Sequence, residues 1–256
     1  MQNSSFLEVL CVVSPRTSAS LVLSTPAAEG IVVCADRRGV KSDGTEVEST
    51  KLFIVNPRLV FGGTGDTEYF SGNRPIFDVF NAADQYLRGV EHQEQVHGLG
   101  RFLQTEFRSF VSGVHLSTVV RPFQIIVFYV DQEHTPYLYL AKLTHQLDDS
   151  VILSEEHRGG NGTAFFLMAS LGFLGEGRLI EELKSGRDVS FDDLRRNKPL
   201  MELISLRRTA NSVTSQEASA MLQLLIRETS KRIDRHLVSE DSQCVFLPYD
   251  GAAAWK

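Results

Sequence analysis

The stretch TSASLVLSTPAAEGIVVCADRR, which runs from Thr17 to Arg38, decides the predicted fold. Two of its runs, ASLVLST and GIVVCAD, are apolar and rich in β-forming residues, and the intervening TPAAEG has turn chemistry. The stretch therefore predicts a β-hairpin that ends at an acid, Asp36. Hydroxyl residues crowd its first four positions, which raises the question whether one of them is a nucleophile that becomes an N-terminus.

Composition predicts an ordinary globular domain. The chain has 256 residues, of which 42% are hydrophobic and 23% charged, and it carries a formal net charge of −6. A chain of this length fits one large domain. It has no basic patch interleaved with aromatic residues, which argues against nucleic-acid binding. It also has no run of 18 apolar residues, which argues against a membrane span.

The cysteines and histidines give no sign of a metal site. Cys11, Cys34 and Cys244 are scattered and form no CxxC pair, and the seven histidines show no metal-ligand spacing. An odd, sparse count of cysteines argues against a disulfide framework and favours a reducing compartment. We therefore expect a cytoplasmic protein without metal or other cofactor.

After the first hairpin, the sequence predicts a second hairpin and then changes to the spacing of apolar residues that is typical of helices. Leu52–Val55 and Leu59–Phe61 predict a second hairpin around Asn56-Pro57, followed by a Gly-rich turn in GGTGDT. Helical stripes then predict two helices, and strands are predicted in FQIIVFYVD, PYLYLAKLTH and SVILSEE. Further helices follow, the last of them after a Thr214-x-x-Glu217 capping box, and SQCVFLPYDG is predicted as the closing strand. Blocks of strands and helices in this order predict an α+β fold with helices packed outside two sheets.

Two runs carry a family resemblance. GIVVCADRR is similar to the corresponding run of proteasome β subunits and their bacterial relatives, and the likeness continues through STKLFIVNPRLVFGGTGD. It is clearest from Gly30 to Thr67. The resemblance implies an N-terminal nucleophile (Ntn) hydrolase with a four-layer αββα sandwich of two antiparallel sheets and helices on both outer faces.

The same resemblance implies a mechanism and its residues. Self-cleavage of a prosegment exposes a Thr or Ser, whose hydroxyl attacks an amide bond while its own α-amine serves as the base. Matched to the family pattern, Lys51 is the electrostatic partner of the nucleophile and Asp36 orients Lys51. Gly65 supplies a backbone N–H to the oxyanion, and Ser239 lies in the family's C-terminal motif.

Two hydroxyl residues compete as the nucleophile. Ser20 lies sixteen positions before Asp36, which is the family spacing without gaps. Three extra residues in the STPAAEG loop would move the start to Thr17, which has the commoner residue type. Residues 1–19 are accordingly expected to be a prosegment or N-terminal extension, and residues 20–256 a single domain. Cys11 is a weaker alternative, because a small buried thiol explains it.

Departures from the family pattern keep a second function open. Arg16 and Ala19, rather than Gly, precede the two candidate nucleophiles. Near the C-terminus, His236 stands where the family has Asp, and Glu240-Asp241 replace glycines. The alternatives to a threonine- or serine-type peptidase are therefore a non-catalytic subunit that keeps its N-terminus, or an amidase or acylase of small molecules.

The expected partners follow from the resemblance. They are a peptide or protein substrate, further copies of the chain in a homo-oligomeric ring, and a regulatory ATPase. Neither nucleic acid nor a membrane is expected.

Overall fold

The computed structural model describes most of the chain. The described residues are 12–18, 21–41, 43–91, 93–116, 120, 122–146, 148, 150–159, 178–204, 213–233, 235–236 and 238–256. Two of the candidate nucleophiles, Ser20 and Cys11, lie outside them.

The first predicted hairpin forms one side of the smaller sheet. Strands β2 (Val22–Ala27) and β3 (Gly30–Asp36) pair without interruption from Val22 opposite Ala35 to Ala27 opposite Gly30. The connection between them is therefore a two-residue turn. Two C-terminal strands complete this sheet in the order β14-β13-β3-β2, namely β13 (Ser242–Pro248) and β14 (Ala254–Trp255).

The larger sheet has ten strands among the described residues, and its main path runs β12-β11-β10-β7-β1-β4-β5. Strands β6, β8 and β9 pair at its side, the first two with β7 and the third, in parallel, with β1. The strands are β1 (Val12–Ser18), β4 (Arg38–Val40), β5 (Glu46–Glu48), β6 (Leu52–Asn56), β7 (Leu59–Ser71), β8 (Arg74–Asp78), β9 (His115–Leu116), β10 (Phe123–Val130), β11 (Pro136–His145) and β12 (Val151–Gly159). The second predicted hairpin is confirmed as β6 and β7.

The Gly-rich run GGTGDT was predicted as a turn, and this is wrong. It lies inside β7, where Gly62 and Gly63 pair with β10 and Gly65 pairs with β1. A Cβ on Gly63 would come within 2.6 Å of the Gln124 carbonyl oxygen, so the glycines here permit close approach of neighbouring strands. Pairing with β10 and β1 therefore outweighs the turn propensity of this Gly-rich run.

The helices are α1 (Val79–Arg88), α2 (Leu99–Ser112), α3 (Arg178–Ser185), α4 (Asp192–Arg195), α5 (Lys198–Ile204) and α6 (Ser215–Arg232). Gly113 is the C-cap residue of α2. The predicted capping box of α6 is confirmed, since Thr214 and Glu217 satisfy each other's backbone N–H groups. Within the described ranges, every helix is too short or too polar to cross a membrane.

Buried side chains form three clusters. The first joins α1 and α2 to the larger sheet, and the second joins α3 to α6 to the smaller sheet. The third contains Val33 and Val245 of the smaller sheet together with Leu52 and Ile126 of the larger one. The predicted α+β class with two largely antiparallel sheets is confirmed.

The prediction that the cysteines form no disulfide is wrong. Cys34 and Cys244 are directly opposite each other on β3 and β13 and form a disulfide bond. Their separation of 210 residues hides this pairing in the sequence, because only the sheet brings the two strands together. Disulfides persist in oxidising environments, so the argument for a cytoplasmic location that rested on free cysteines fails.

Candidate active site

A fully buried ion pair lies where the sequence places the candidate site. Asp36 is the last residue of β3, and Lys51 immediately precedes β6. Lys51 Nζ lies 2.8 Å from Asp36 Oδ1, and both side chains are 0% exposed. A buried ammonium is costly unless it is paired and hydrogen-bonded, and Asp36 meets both needs.

Asp36 also collects backbone donors from three other segments. Its Oδ1 accepts a hydrogen bond from Leu21 N at 2.9 Å, in addition to the bond from Lys51. Its Oδ2 accepts from Arg38 N at 3.0 Å and from Ser239 N at 3.2 Å. With four donors on one carboxylate, Asp36 fixes β2, β4, Lys51 and the segment before β13 relative to one another.

Ser239 joins this cluster through its backbone rather than its hydroxyl. Its N–H donates to Asp36, while its Oγ donates to Asp241 O and accepts from Asp241 N. His236, which stands where the family pattern has Asp, has a side chain that is 74% exposed and lies 3.8 Å from Glu46. The structure thus brings Ser239 to Asp36 and leaves the His236 side chain at the surface.

Strand β1 leads the chain directly to this cluster. It lies between β7 and β4, with Thr17 opposite both Asp66 and Val40, and Ser18 opposite Gly65. Three residues after Ser18, Leu21 N donates a hydrogen bond to Asp36 Oδ1. Gly65, the predicted oxyanion donor, therefore pairs with the last residue of β1, three positions before Leu21.

The loop argument for Thr17 as the nucleophile fails. It required three extra residues in the connection between β2 and β3, but their pairing is continuous around a two-residue turn. Thr17 lies four residues before Leu21 and is paired on both sides within a strand. Ser20 is bonded to Leu21, and adjacent Cα atoms are about 3.8 Å apart.

Sequence reasoning missed one residue that contacts the cluster, Gln243 of β13. With its amide oriented so that the oxygen faces the available donors, Gln243 accepts hydrogen bonds from Lys51 N at 2.7 Å and Leu52 N at 2.9 Å. The available signal was a polar residue on the same face of β13 as the buried Val245 and Leu247.

A cavity of about 580 Å³ lies beside Lys51. Ser49, Thr50 and Leu52, which flank Lys51 in the chain, line it, and acidic side chains that include Glu48 and Glu68 also contribute. No group of three or more His, Cys, Asp or Glu residues that could hold a metal occurs in the described part of the chain.

Comparison with known proteins gives solved structures but no family. No family model matches the chain, and no curated protein matches it. An Anbu mutant (Gly-1) from Hyphomicrobium sp. strain MC1 is similar to it at 12% identity and a TM-score of 0.49, over 92% of this chain and 86% of that one. An Anbu described as an ancestral beta-subunit, from Yersinia bercovieri, is similar at 9% identity and a TM-score of 0.49, over 91% and 86%.

These comparisons correct the family predicted from the sequence. The similar solved structures are Anbu proteins, which are related to proteasome β subunits but distinct from them, so the assignment to the proteasome β-subunit family is wrong. With TM-scores below 0.5 and such low identities, the likeness carries no argument about the activity of this chain.

Proposed function

We propose that this chain is a self-processing hydrolase of peptide (amide) bonds, with the hydroxyl of Ser20 as its nucleophile. The observation that carries the proposal is the hydrogen bond from Leu21 N to Asp36 Oδ1, the oxygen that also binds the buried Lys51 ammonium. Leu21, the residue that follows Ser20 in the chain, is thereby bonded to the carboxylate that holds a buried positive charge.

The chemistry balances without a cofactor. In self-processing, Ser20 Oγ bonds to the carbonyl carbon of Ala19 as the Ala19–Ser20 C–N bond breaks, and the hydroxyl proton passes to the departing nitrogen. Water then hydrolyses the ester, leaving a carboxyl group on Ala19 and a free hydroxyl and α-amine on Ser20. An α-amine, with an ordinary pKa near 8, can then take the hydroxyl proton in each later attack.

The remaining roles follow from position. The Lys51 ammonium favours the deprotonated forms of the amine and the hydroxyl, and Asp36 holds Lys51 in place. The Gly65 N–H is proposed as the oxyanion donor, because Gly65 is paired with Ser18 close to the bond that breaks. Ser239 supports Asp36 through its backbone N–H.

We propose an extended peptide as the substrate. Five consecutive residues of β1, Ser14 to Ser18, pair with β7, and Thr17 also pairs with β4. When residues 1–19 leave, the slot between β4 and β7 offers the same backbone groups to another strand. Addition of a peptide strand to such an edge is an established mode of recognition.

The fold proposed for this activity is the four-layer αββα sandwich. Three buried clusters support it, because two of them join helices to a sheet and the third contains residues of both sheets. A homo-oligomeric ring belongs to the same proposal and is tested by the native mass of the processed protein. The regulatory ATPase and the cytoplasmic location stay predictions.

One observation favours the second candidate, a non-catalytic subunit that retains its N-terminus. Strand β1 is bonded to β7, β4 and β9, so residues 12–18 contribute to the larger sheet. Removing them exposes the edges of β4 and β7. A chain that keeps β1 would use it as a structural strand.

The mass of the purified full chain tests the proposal. We expect loss of residues 1–19 in the parent protein, and an uncut chain in both Ser20→Ala and Lys51→Ala. Thr17→Ala is the matched hydroxyl control and should be cut normally. A parent chain that keeps residues 1–19 supports the non-catalytic subunit. A processed chain that cleaves small acyl amides but no peptide supports the amidase.

A further inference from the structure

We propose that Gln243 is a positioning residue for Lys51. The inference rests on the proposed function for its catalytic meaning, because Lys51 is the electrostatic partner of the nucleophile there. Its structural content stands on the hydrogen bonds from Lys51 N and Leu52 N to the Gln243 side chain.

Gln243 reaches from the smaller sheet to the larger one. On β13 it lies opposite Ala35 of β3, whereas the neighbouring Cys244 lies opposite Cys34. Ala35 belongs to the cluster that contains residues of both sheets, and Cys34 belongs to the cluster with α6. Because side chains alternate along a strand, Gln243 faces the larger sheet, where β6 begins.

Both the carbonyl oxygen and the N–H of Lys51 are hydrogen-bonded. Its carbonyl oxygen accepts from Gly63 N at 3.2 Å on β7, and its N–H donates to Gln243 at 2.7 Å. Leu52 N donates to the same oxygen at 2.9 Å and so fixes the next residue as well. The Lys51 side chain can therefore reach Asp36 Oδ1 from an anchored backbone.

Gln243, which holds the Lys51 backbone, lies on β13 next to the residue that pairs with Asp36. Ser242, the residue before Gln243, lies opposite Asp36, and the Ser239 N–H that binds Asp36 Oδ2 comes from the segment just before β13. One strand thus sets the position of both partners of the ion pair. Moving the Gln243 side chain would displace Lys51 relative to Asp36 without touching either charged group.

Amide hydrogen exchange tests the anchor directly. In Gln243→Leu, which keeps the size but removes the acceptor, we expect exchange at the Lys51 and Leu52 amides to rise at least tenfold. In Gln243→Glu, which retains an acceptor oxygen, protection should return. Gln223→Leu, a matched change at an exposed position of α6, should leave both amides unchanged.

Self-processing supplies the functional readout. Gln243→Leu should slow the appearance of the chain that begins at Ser20 by at least tenfold, and Gln243→Glu should recover most of that rate. A parent protein that is never cut refutes the proposed function, while raised exchange in Gln243→Leu would still establish the anchor.

Unchanged exchange at both amides in a folded Gln243→Leu protein overturns the proposal. So does a general loss of protection that Gln243→Glu fails to reverse. If Gln243→Leu does not fold, Gln243→Asn replaces it, since it keeps the amide but shortens the side chain by one carbon. Normal exchange at Lys51 and Leu52 in Gln243→Asn would then count against the anchor.

Discussion

Asp36 shows how much one residue can organise. The sequence predicts it beside Lys51 by resemblance, and the structure confirms that the two side chains meet at 2.8 Å, while their catalytic roles stay proposals. Three backbone N–H groups also donate hydrogen bonds to the Asp36 carboxylate, and the residue types in the sequence do not predict which backbone groups will do so. Three of the four hydrogen-bond donors described at Asp36 were therefore hidden in the sequence, because any amino acid except proline can supply a backbone N–H.

Gly65 allows a prediction about the effect of a single residue on stability. Its φ is +98°, and a Cβ added to it would lie only 2.1 Å from the Pro122 carbonyl oxygen, so both the backbone conformation and the space oppose a side chain. Gly72 has a φ of +58°, but a Cβ added there would have nothing within 4 Å. We expect Gly72→Ala to lower the unfolding free energy by about 1 kcal/mol and Gly65→Ala by about 2 kcal/mol more, from the clash. Urea denaturation measures both, and equal losses would contradict the steric argument.

Strands β1 and β7 mark the limit of prediction at the scale of elements. Strands β2, β3 and β10 were readable as short apolar, β-forming runs and α2 by its helical period, because both signals are local. β7 contains a Gly-rich run that looks like a turn, and it continues as a strand because β10 and β1 pair along it. Residues 1–19, which include β1, were predicted to be a prosegment or N-terminal extension, and the backbone pairing of β1 places it inside the larger sheet.

Helix α6 offers an element-scale prediction. The Thr214 side chain accepts from Glu217 N, and the Glu217 carboxylate accepts from Thr214 N. Thr214→Ala removes the cap and should lower the unfolding free energy by about 1 kcal/mol, whereas Thr214→Ser keeps the hydroxyl and should cost less than about 0.5 kcal/mol. Thermal unfolding of the two variants measures the difference, and a serine variant as unstable as the alanine variant would refute the capping role.

At the scale of the whole molecule, β3 and β13 join the two ends of the fold. They place Cys34 opposite Cys244 and Asp36 opposite Ser242, across more than 200 residues of chain. The disulfide and the Asp36 cluster are therefore neighbours on one strand pair. The ladder between these strands depends on sheet assembly, which spacing along the sequence does not reveal.

The disulfide gives the prediction at this scale. A cross-link over 210 residues restricts the unfolded chain, so its reduction should lower the unfolding free energy by about 2–5 kcal/mol. The measurement is denaturation with and without a dithiol, in a Cys11→Ala background that prevents exchange. The double variant Cys34→Ala/Cys244→Ala is the control and should not respond to the dithiol. Two free thiols, those of Cys34 and Cys244, in the denatured, unreduced Cys11→Ala protein would show that the bond does not form.

The sequence by itself determined the local elements, and its resemblance to a known family pointed to the two residues of the ion pair. Alternating and helical periodicity record which faces of an element are buried, and Asp36 and Lys51 stand at strand ends that the pattern defines. The tertiary structure alone decided the position of β1 between β7 and β4, the disulfide, and the contact of Gln243 with Lys51. These features join residues far apart in the chain, and their partners are chosen by the packing of two sheets, which leaves no periodic trace in either segment.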